Sequence, residues 1–284
     1  MNKQKAMILM ALVMMSRGTS FIFSKNLMDG FAPMNILAVR FITAFLILTL
    51  VFFNKMRHIN KALIIKGALL GGAYTACMVA EMYGLRLIET ATSSFIENSA
   101  VVIVPFYEMI LTKKLPKKSV VFIALMAFAG VGFLTVAGGA SVNIGIILAI
   151  IAALIYGVCV MLTEYVTRDG SDPITIGVLQ MGFMGLFSLM LTFITDKPRL
   201  PQGGVEWAMI MMLVLVCSCF GFTFQPLAQK YISVEMAGVF TTLNPLSTCV
   251  IGVLFAGEGM GIFKIIGGAL IITSVLLSVK DANS

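Results

Sequence analysis

An all-α integral membrane fold, with ten transmembrane helices arranged as two inverted five-helix repeats, is what three features of this chain predict. The 284 residues are 59% hydrophobic and only 12% charged, with a mean hydropathy of +1.01, whereas soluble domains carry about 25% charged residues. The apolar residues gather into runs of about 20, the length of a spanning helix, rather than the alternating runs of about 10 of a barrel strand. Two stretches of the first half also recur in the second half at matching spacing.

The apolar segments, each bounded by charged or turn residues, fall at about 6–24, 33–53, 62–84, 90–112, 119–137, 144–164, 173–195, 206–228, 232–256 and 260–279. The first follows the basic start MNKQK. It resembles a signal peptide in length, but Arg17 interrupts it and no A-x-A pattern follows, so it reads as an uncleaved first span. With the N-terminus inside, thirteen basic residues lie on the cytoplasmic side, including the cluster Lys113, Lys114, Lys117 and Lys118, against five outside. That bias predicts cytoplasmic termini in a multi-pass plasma-membrane protein in contact with the lipid bilayer. It also accounts for the net charge of +7 without nucleic acid, since no basic patch is interleaved with aromatics.

The repeat is carried by PMNILAVR and PITIGVLQ, in which Pro33 precedes Arg40 and Pro173 precedes Gln180 by the same seven residues. Leu87 to Ala100 sets beside Tyr231 to Asn244 without gaps, which places Glu97 opposite Thr241 and, at the same offset, Glu81 opposite Gln225. The loop VAGGASVN at 136–143 marks the boundary between a first repeat at 1–140 and a second at 141–284. An odd number of crossings per repeat inverts the second copy, an architecture that recurs in secondary transporters.

In SRGTSFIFSK, NILAVRFITAFL, SSFIENSAVVIVPFYEMILTKKLP, FQPLAQKYISVEMAGVF, NPLSTCVIGVLFAGE and IGGALIITSVLLS, the chain resembles the ten-helix, EamA-like branch of the drug/metabolite transporter superfamily over nearly its whole length. The resemblance implies two inverted EamA repeats around a central cavity and alternating access for small organic solutes. It also places helices 4 and 9 against that cavity, and it favours export. Arg17 in RGTSF stands where the family commonly has Trp, so a different substrate or binding mode is expected.

An ionised side chain at the bilayer centre costs at least about 2.5–3.5 kcal/mol, so each needs a partner, a cavity or a route to the interface. Arg17, Arg40 and Glu97 each lie seven residues from the outer end of their span, which at 1.5 Å per residue is about 10 Å deep. Three readings of that layer stand open. Glu97 forms a structural ion pair with Arg17 or Arg40; or Glu97 takes a substrate amino group while Arg17 takes a carboxylate or controls the ionisation of the glutamate; or Glu97 exchanges a proton, the coupling ion, during transport. Glu81 and Glu108 are further candidates for coupling. Glu108 lies on the face of Glu97 eleven residues on, and an interfacial pairing with the lysine cluster is the competing expectation for it. Tyr74, Phe95, Tyr156 and Phe224 are candidate substrate-binding aromatics, with Tyr107 and Phe220 in the same class. Pro105 cannot donate to the carbonyl four residues back, so an opened backbone near Val101 is expected, and Pro105 and Pro245 are candidate hinges. Gly67 and Gly71 form a GxxxG contact face.

Neither a cofactor nor a metal site is expected. The five cysteines lie inside apolar runs without a CxxC pair, and His58 sits in a basic loop with no ligand neighbour. No HExxH, Ser/His pairing or Asp dyad occurs in the spans, and no Walker motif appears. The function these features favour is secondary transport of a small amine-bearing or zwitterionic, amino-acid-like metabolite rather than enzymatic catalysis. Export of organic cations or cationic drugs is the alternative.

Overall fold

The computed structural model describes residues 1–135, 143–255 and 261–281. The expected repeat boundary in the 136–143 loop, apart from Asn143, lies outside the described residues. Apolar helices follow one another through the described residues. They are α1 (Lys3–Leu27), α2 (Pro33–Val51), α3 (Lys61–Leu87), α4 (Thr90–Asn98 and Ala100–Thr112), α5 (Lys118–Thr135), α6 (Ile144–Thr167), α7 (Pro173–Thr195), α8 (Gly203–Gln229), α9 (Val234–Thr241 and Leu243–Phe255) and α10 (Ile262–Asp281). Among the described residues nine are long and apolar enough to cross a membrane, and α5, apolar over Lys118–Phe133, is shorter. The chain is therefore an all-α, multi-span membrane protein.

The helices begin where the sequence supplies caps. Asn2, Asn60, Asn143, Asp172 and Ser233 each accept a bond from a backbone N–H of the first turn, answering donors that have no carbonyl partner there. Pro33 and Pro173 occupy the first position of α2 and α7, where a missing N–H costs nothing. Lys113 ends α4 in a left-handed conformation, φ 54°.

Within the bundle α2 packs on α7, α3 on α6 and α7, α5 on α10, α1 on α8 and α9, and α4 on α9 and α6. The outer faces are apolar and bare, as at Leu50 and Ile194, 77% and 79% exposed. Such surface suits lipid. Close approach is bought by glycine. A Cβ on Gly67 would lie 2.5 Å from Leu179 Cβ and one on Gly71 2.7 Å from Phe183 Cβ, so the GxxxG face of α3 seats α7. Gly177 of α7 faces the Thr223 carbonyl of α8, where a Cβ would stand 2.5 Å from the oxygen.

Among the described residues α1, α4 and α9 are interrupted, at Thr19, Ser99 and Thr242. At Thr19 and Thr242 the threonine hydroxyl bonds back to the carbonyl three residues earlier, Ser16 at 2.8 Å and Val239 at 2.7 Å. Asn98 Nδ2 likewise donates to the Ser94 carbonyl at 2.8 Å. Side chains that compete for helix carbonyls loosen the turn they sit in. The opening in α4 thus falls two residues before the expected Val101. At the end bearing most of the lysines, Lys55 pairs with Asp172 at 2.8 Å and Lys66 with Asp169, tying α2 and α3 to the α6–α7 loop.

Two outcomes follow. Gly177→Val forces α7 and α8 apart against backbone that cannot yield, lowering stability by about 1–3 kcal/mol, readable as a lower unfolding temperature in detergent. Hydrogen bonds from Lys66 and Ser171 hold the Asp169 carboxyl below the usual carboxylate range. Its contribution is therefore complete above about pH 4 and is lost as pH falls through the depressed value. Asp169→Asn should unfold at a slightly lower temperature at neutral pH, with the gap to wild type closing in strong acid.

Candidate functional site

Arg17 ends the first half of α1 beside the break at Thr19, and this places its guanidinium inside the bundle, 5% exposed. Its Nη1 donates to Tyr156 Oη at 3.0 Å and to Gln225 Oε1 at 2.5 Å. The Arg17 Cζ lies 3.9 Å from the Phe222 ring centroid, 5.2 Å from that of Tyr156 and 5.8 Å from that of Tyr74. Three aromatic faces and two acceptors thus replace water around the charge. Cation–π contacts of this kind are each worth about 0.5–2 kcal/mol when desolvated.

The α8 backbone makes this possible. Between Leu213 and Phe222 the helix widens to π geometry, and this extra residue per turn brings Ser218, Gly221 and Phe222 to face α1 and α2. Gly221 is essential to the fit, because a Cβ there would stand 2.6 Å from Arg17 Cγ. Gln225 continues the network, its Nε2 donating to Tyr74 Oη at 2.8 Å and to Gln229 Oε1 at 2.9 Å, while Gln229 Nε2 donates to the Val160 carbonyl at 3.2 Å. The second buried arginine, Arg40, donates from Nε to Ser218 Oγ at 2.7 Å and lies 5.7 Å from the Phe222 centroid, leaving Nη2 without a partner.

The acidic side is built from α3 and α4. Glu81 and Glu97 are 3% and 4% exposed, and their carboxyl groups lie within hydrogen-bonding reach of each other. Each keeps a buried Oε2 with no hydrogen-bond partner. Both feel the charge of Arg17. Yet among the described residues none of Arg17, Arg40, Glu81 and Glu97 belongs to an ion pair within 4.0 Å. The expected ion pair of Glu97 with Arg17 or Arg40 is not formed.

Of the candidate aromatics, Tyr74 and Tyr156 meet at Arg17 while two others do not. Phe95 stacks on Phe128 at 5.2 Å, and Phe224 packs on Phe220 and Phe52. Tyr107 reaches outward to the Leu154 carbonyl. Glu108 shares a recess of about 110 Å³ with Glu235 of α9, Pro105 and two lysines of the cluster, Lys114 and Lys117, and its hydrogen-bond neighbour there is Glu235. Pro245 lies three residues beyond the break in α9 and Pro105 six beyond the break in α4. Phe222, Gln225, Ser218 and Glu235 were not singled out as site residues from the sequence. The offset that set Gln225 opposite Glu81 was the available signal for one of them; nothing local marks Phe222 among 21 phenylalanines.

A helical membrane protein with charged groups gathered in an aromatic interior, away from lipid, has the make-up of a solute carrier. The EamA-like transporter family model matches residues 4–136 and again 143–280, and the chain belongs to that family. An uncharacterized transporter of Archaeoglobus fulgidus is 26% identical over 144 residues, a match spanning about half of this chain and half the length of that relative. A protein of known crystal structure superposes with a TM-score of 0.80 at 16% identity, covering 99% of this chain and 98% of the other, which shows the shared fold.

Gln225→Leu removes one of the two Arg17 acceptors and the Gln225 donor to the Tyr74 hydroxyl, at a cost of about 1–3 kcal/mol. Thermal unfolding should show the loss, with Gln225→Glu, which keeps the acceptor, falling between the two.

Proposed function

We propose that this protein is a secondary transporter that moves a small amine-bearing or zwitterionic, amino-acid-like solute across the plasma membrane by alternating access, with export the favoured direction. The observation that carries the reading is the separation of buried charge. Arg17 and Glu97 sense one another, yet neither is neutralised by a direct ion pair among the described residues. Only Arg17 Nη1 is bonded to protein there, so Nε and Nη2 remain for a carboxylate, and the Glu97 Oε2 remains for an ammonium. A zwitterion answers both at once. Tyr74, Tyr156 and Phe222 supply the walls.

Two inverted five-helix units, 1–140 and 141–284, are the frame of this proposal. Supporting it are the two matches to one family model and helix pairings that exchange under the repeat, α2 with α7, α5 with α10, α4 with α9, and α1 with α8 as α3 with α6. The breaks at Ser99 and Thr242 correspond to within one residue under the offset of the aligned stretches. The loosened turns and the nearby Pro105 and Pro245 are where α4 and α9 would bend. Positive charge concentrated on one side supports cytoplasmic termini.

One observation favours the alternative of an organic-cation exporter. Arg17 is already stacked on Phe222 and bonded to Tyr156 and Gln225, so Glu81 and Glu97 are the more open charges. Counterflow in proteoliposomes, with labelled amino acids and quaternary amines, separates the two. Glu97→Gln should reduce flux roughly tenfold or more in either case, the loss of one charge-assisted contact. Arg17→Gln should abolish flux of an amino acid, whereas in a cation exporter it should spare flux of the quaternary amine. Unchanged kinetics in a folded Glu97→Gln protein would sink the reading.

A further inference from the structure

The first half of α4 holds more unanswered oxygen than a solute ammonium or a shared proton accounts for. Ser94, Glu97 and Asn98 fall at positions i, i+3 and i+4, one face of the helix. Ser94 and Asn98 are each 1% exposed. Ser94 Oγ, Glu97 Oε2 and Asn98 Oδ1 are all buried without a hydrogen-bond partner, as is Glu81 Oε2 from the neighbouring helix, whose carboxyl touches that of Glu97. Each orphaned acceptor costs about 1–3 kcal/mol unless something positive meets it.

Helix geometry adds to the demand. The first half of α4, Thr90–Asn98, ends at this cluster, and the C-terminus of a helix carries partial negative charge. Interrupted helices in membrane proteins use such ends and nearby oxygens to hold small cations.

We propose that Ser94, Glu97, Asn98 and Glu81 form a binding site for one small monovalent metal cation of the sodium class. Hard cations take oxygen ligands, and carboxylate with carbonyl and hydroxyl oxygen is such a set. A proton bridging Glu81 and Glu97 satisfies the two carboxyl groups and leaves Ser94 Oγ and Asn98 Oδ1 unanswered. A divalent ion is disfavoured because Glu81 already feels both Arg17 and Arg40, and among the described residues no three His, Cys, Asp or Glu side chains converge as metal ligands. The remaining ionisable neighbours, Cys77, Cys159 and Tyr156, contribute no positive charge.

Since the ion and a solute ammonium draw on the same Glu97, occupancy by one opposes the other, and the site exchanges them. This exchange rests on the proposed transport of amines; binding of the ion does not.

The test is thermal unfolding of the purified full-length protein in detergent. Sodium chloride is titrated against choline chloride at fixed ionic strength and pH, with no solute present. A saturable stabilisation is expected, stronger for sodium than for potassium. Its midpoint should rise at least roughly tenfold in Ser94→Ala and Asn98→Ala, as for loss of a group that supports a metal site, and the effect should vanish in Glu97→Gln. Identical sodium and choline curves in wild type overturn the site, as does a wild-type midpoint in folded Ser94→Ala and Glu97→Gln. If the variants do not fold, methylammonium added to wild type decides: a competitive rise in the sodium midpoint supports the shared carboxyls, and its absence overturns the exchange. Sodium stabilisation in a protein that moves no amine in proteoliposomes refutes the transport reading and leaves the ion site standing.

Discussion

One aromatic ring, Phe222, stands between two buried guanidinium groups, 3.9 Å from the Arg17 Cζ and 5.7 Å from that of Arg40. Much of the interior follows from the need to keep those charges away from lipid at tolerable cost. The ring must face α1 and α2 together, which the π-widened turn of α8 permits. The backbone behind it must approach closely, which Gly221 permits. Hydrogen bonding completes the enclosure through Gln225, Tyr74, Gln229 and Val160, so that α1, α3, α6 and α8 are held in one polar chain.

The negative charges are held differently. Arg17 has rings and acceptors around it, whereas Glu81 and Glu97 have each other and buried oxygens with no donor. The positive side is thus partly answered by protein, through Arg17 Nη1, while the acidic side keeps more oxygens without a partner. This asymmetry distinguishes the two halves of the chain, since Thr241 stands at the position aligned with Glu97 and spends its hydroxyl on the Gly238 carbonyl at 2.7 Å. The acidic side also lies beside a break in α4, and a helix loosened there can reposition its two halves without tearing a regular hydrogen-bond ladder.

How far these features were legible depends on whether they live within a helix or between helices. Composition and run length set the class, and the segment limits in the sequence agree with the helices to within a few residues. Pro33 and Pro173 marked helix starts, Gly67 and Gly71 a contact face, and Arg17, Arg40 and Glu97 announced themselves as charges in apolar runs. The face shared by Glu97 and Glu108 is the instructive failure. Counting 100° per residue joins them, but α4 is interrupted at Ser99, and the two acids turn to different partners, Glu81 on α3 and Glu235 on α9.

Sequence alone determined that this is a helical membrane protein, where its helices run and which charges it buries, because hydropathy, caps and helical period are properties of neighbouring residues. Only the tertiary structure decided that Arg17 is enclosed by Phe222, Tyr74, Tyr156 and Gln225 rather than paired with Glu97, and that Glu97 meets Glu81 instead. The period of a helix says which of its residues share a face. It carries no information about which other helix that face will meet.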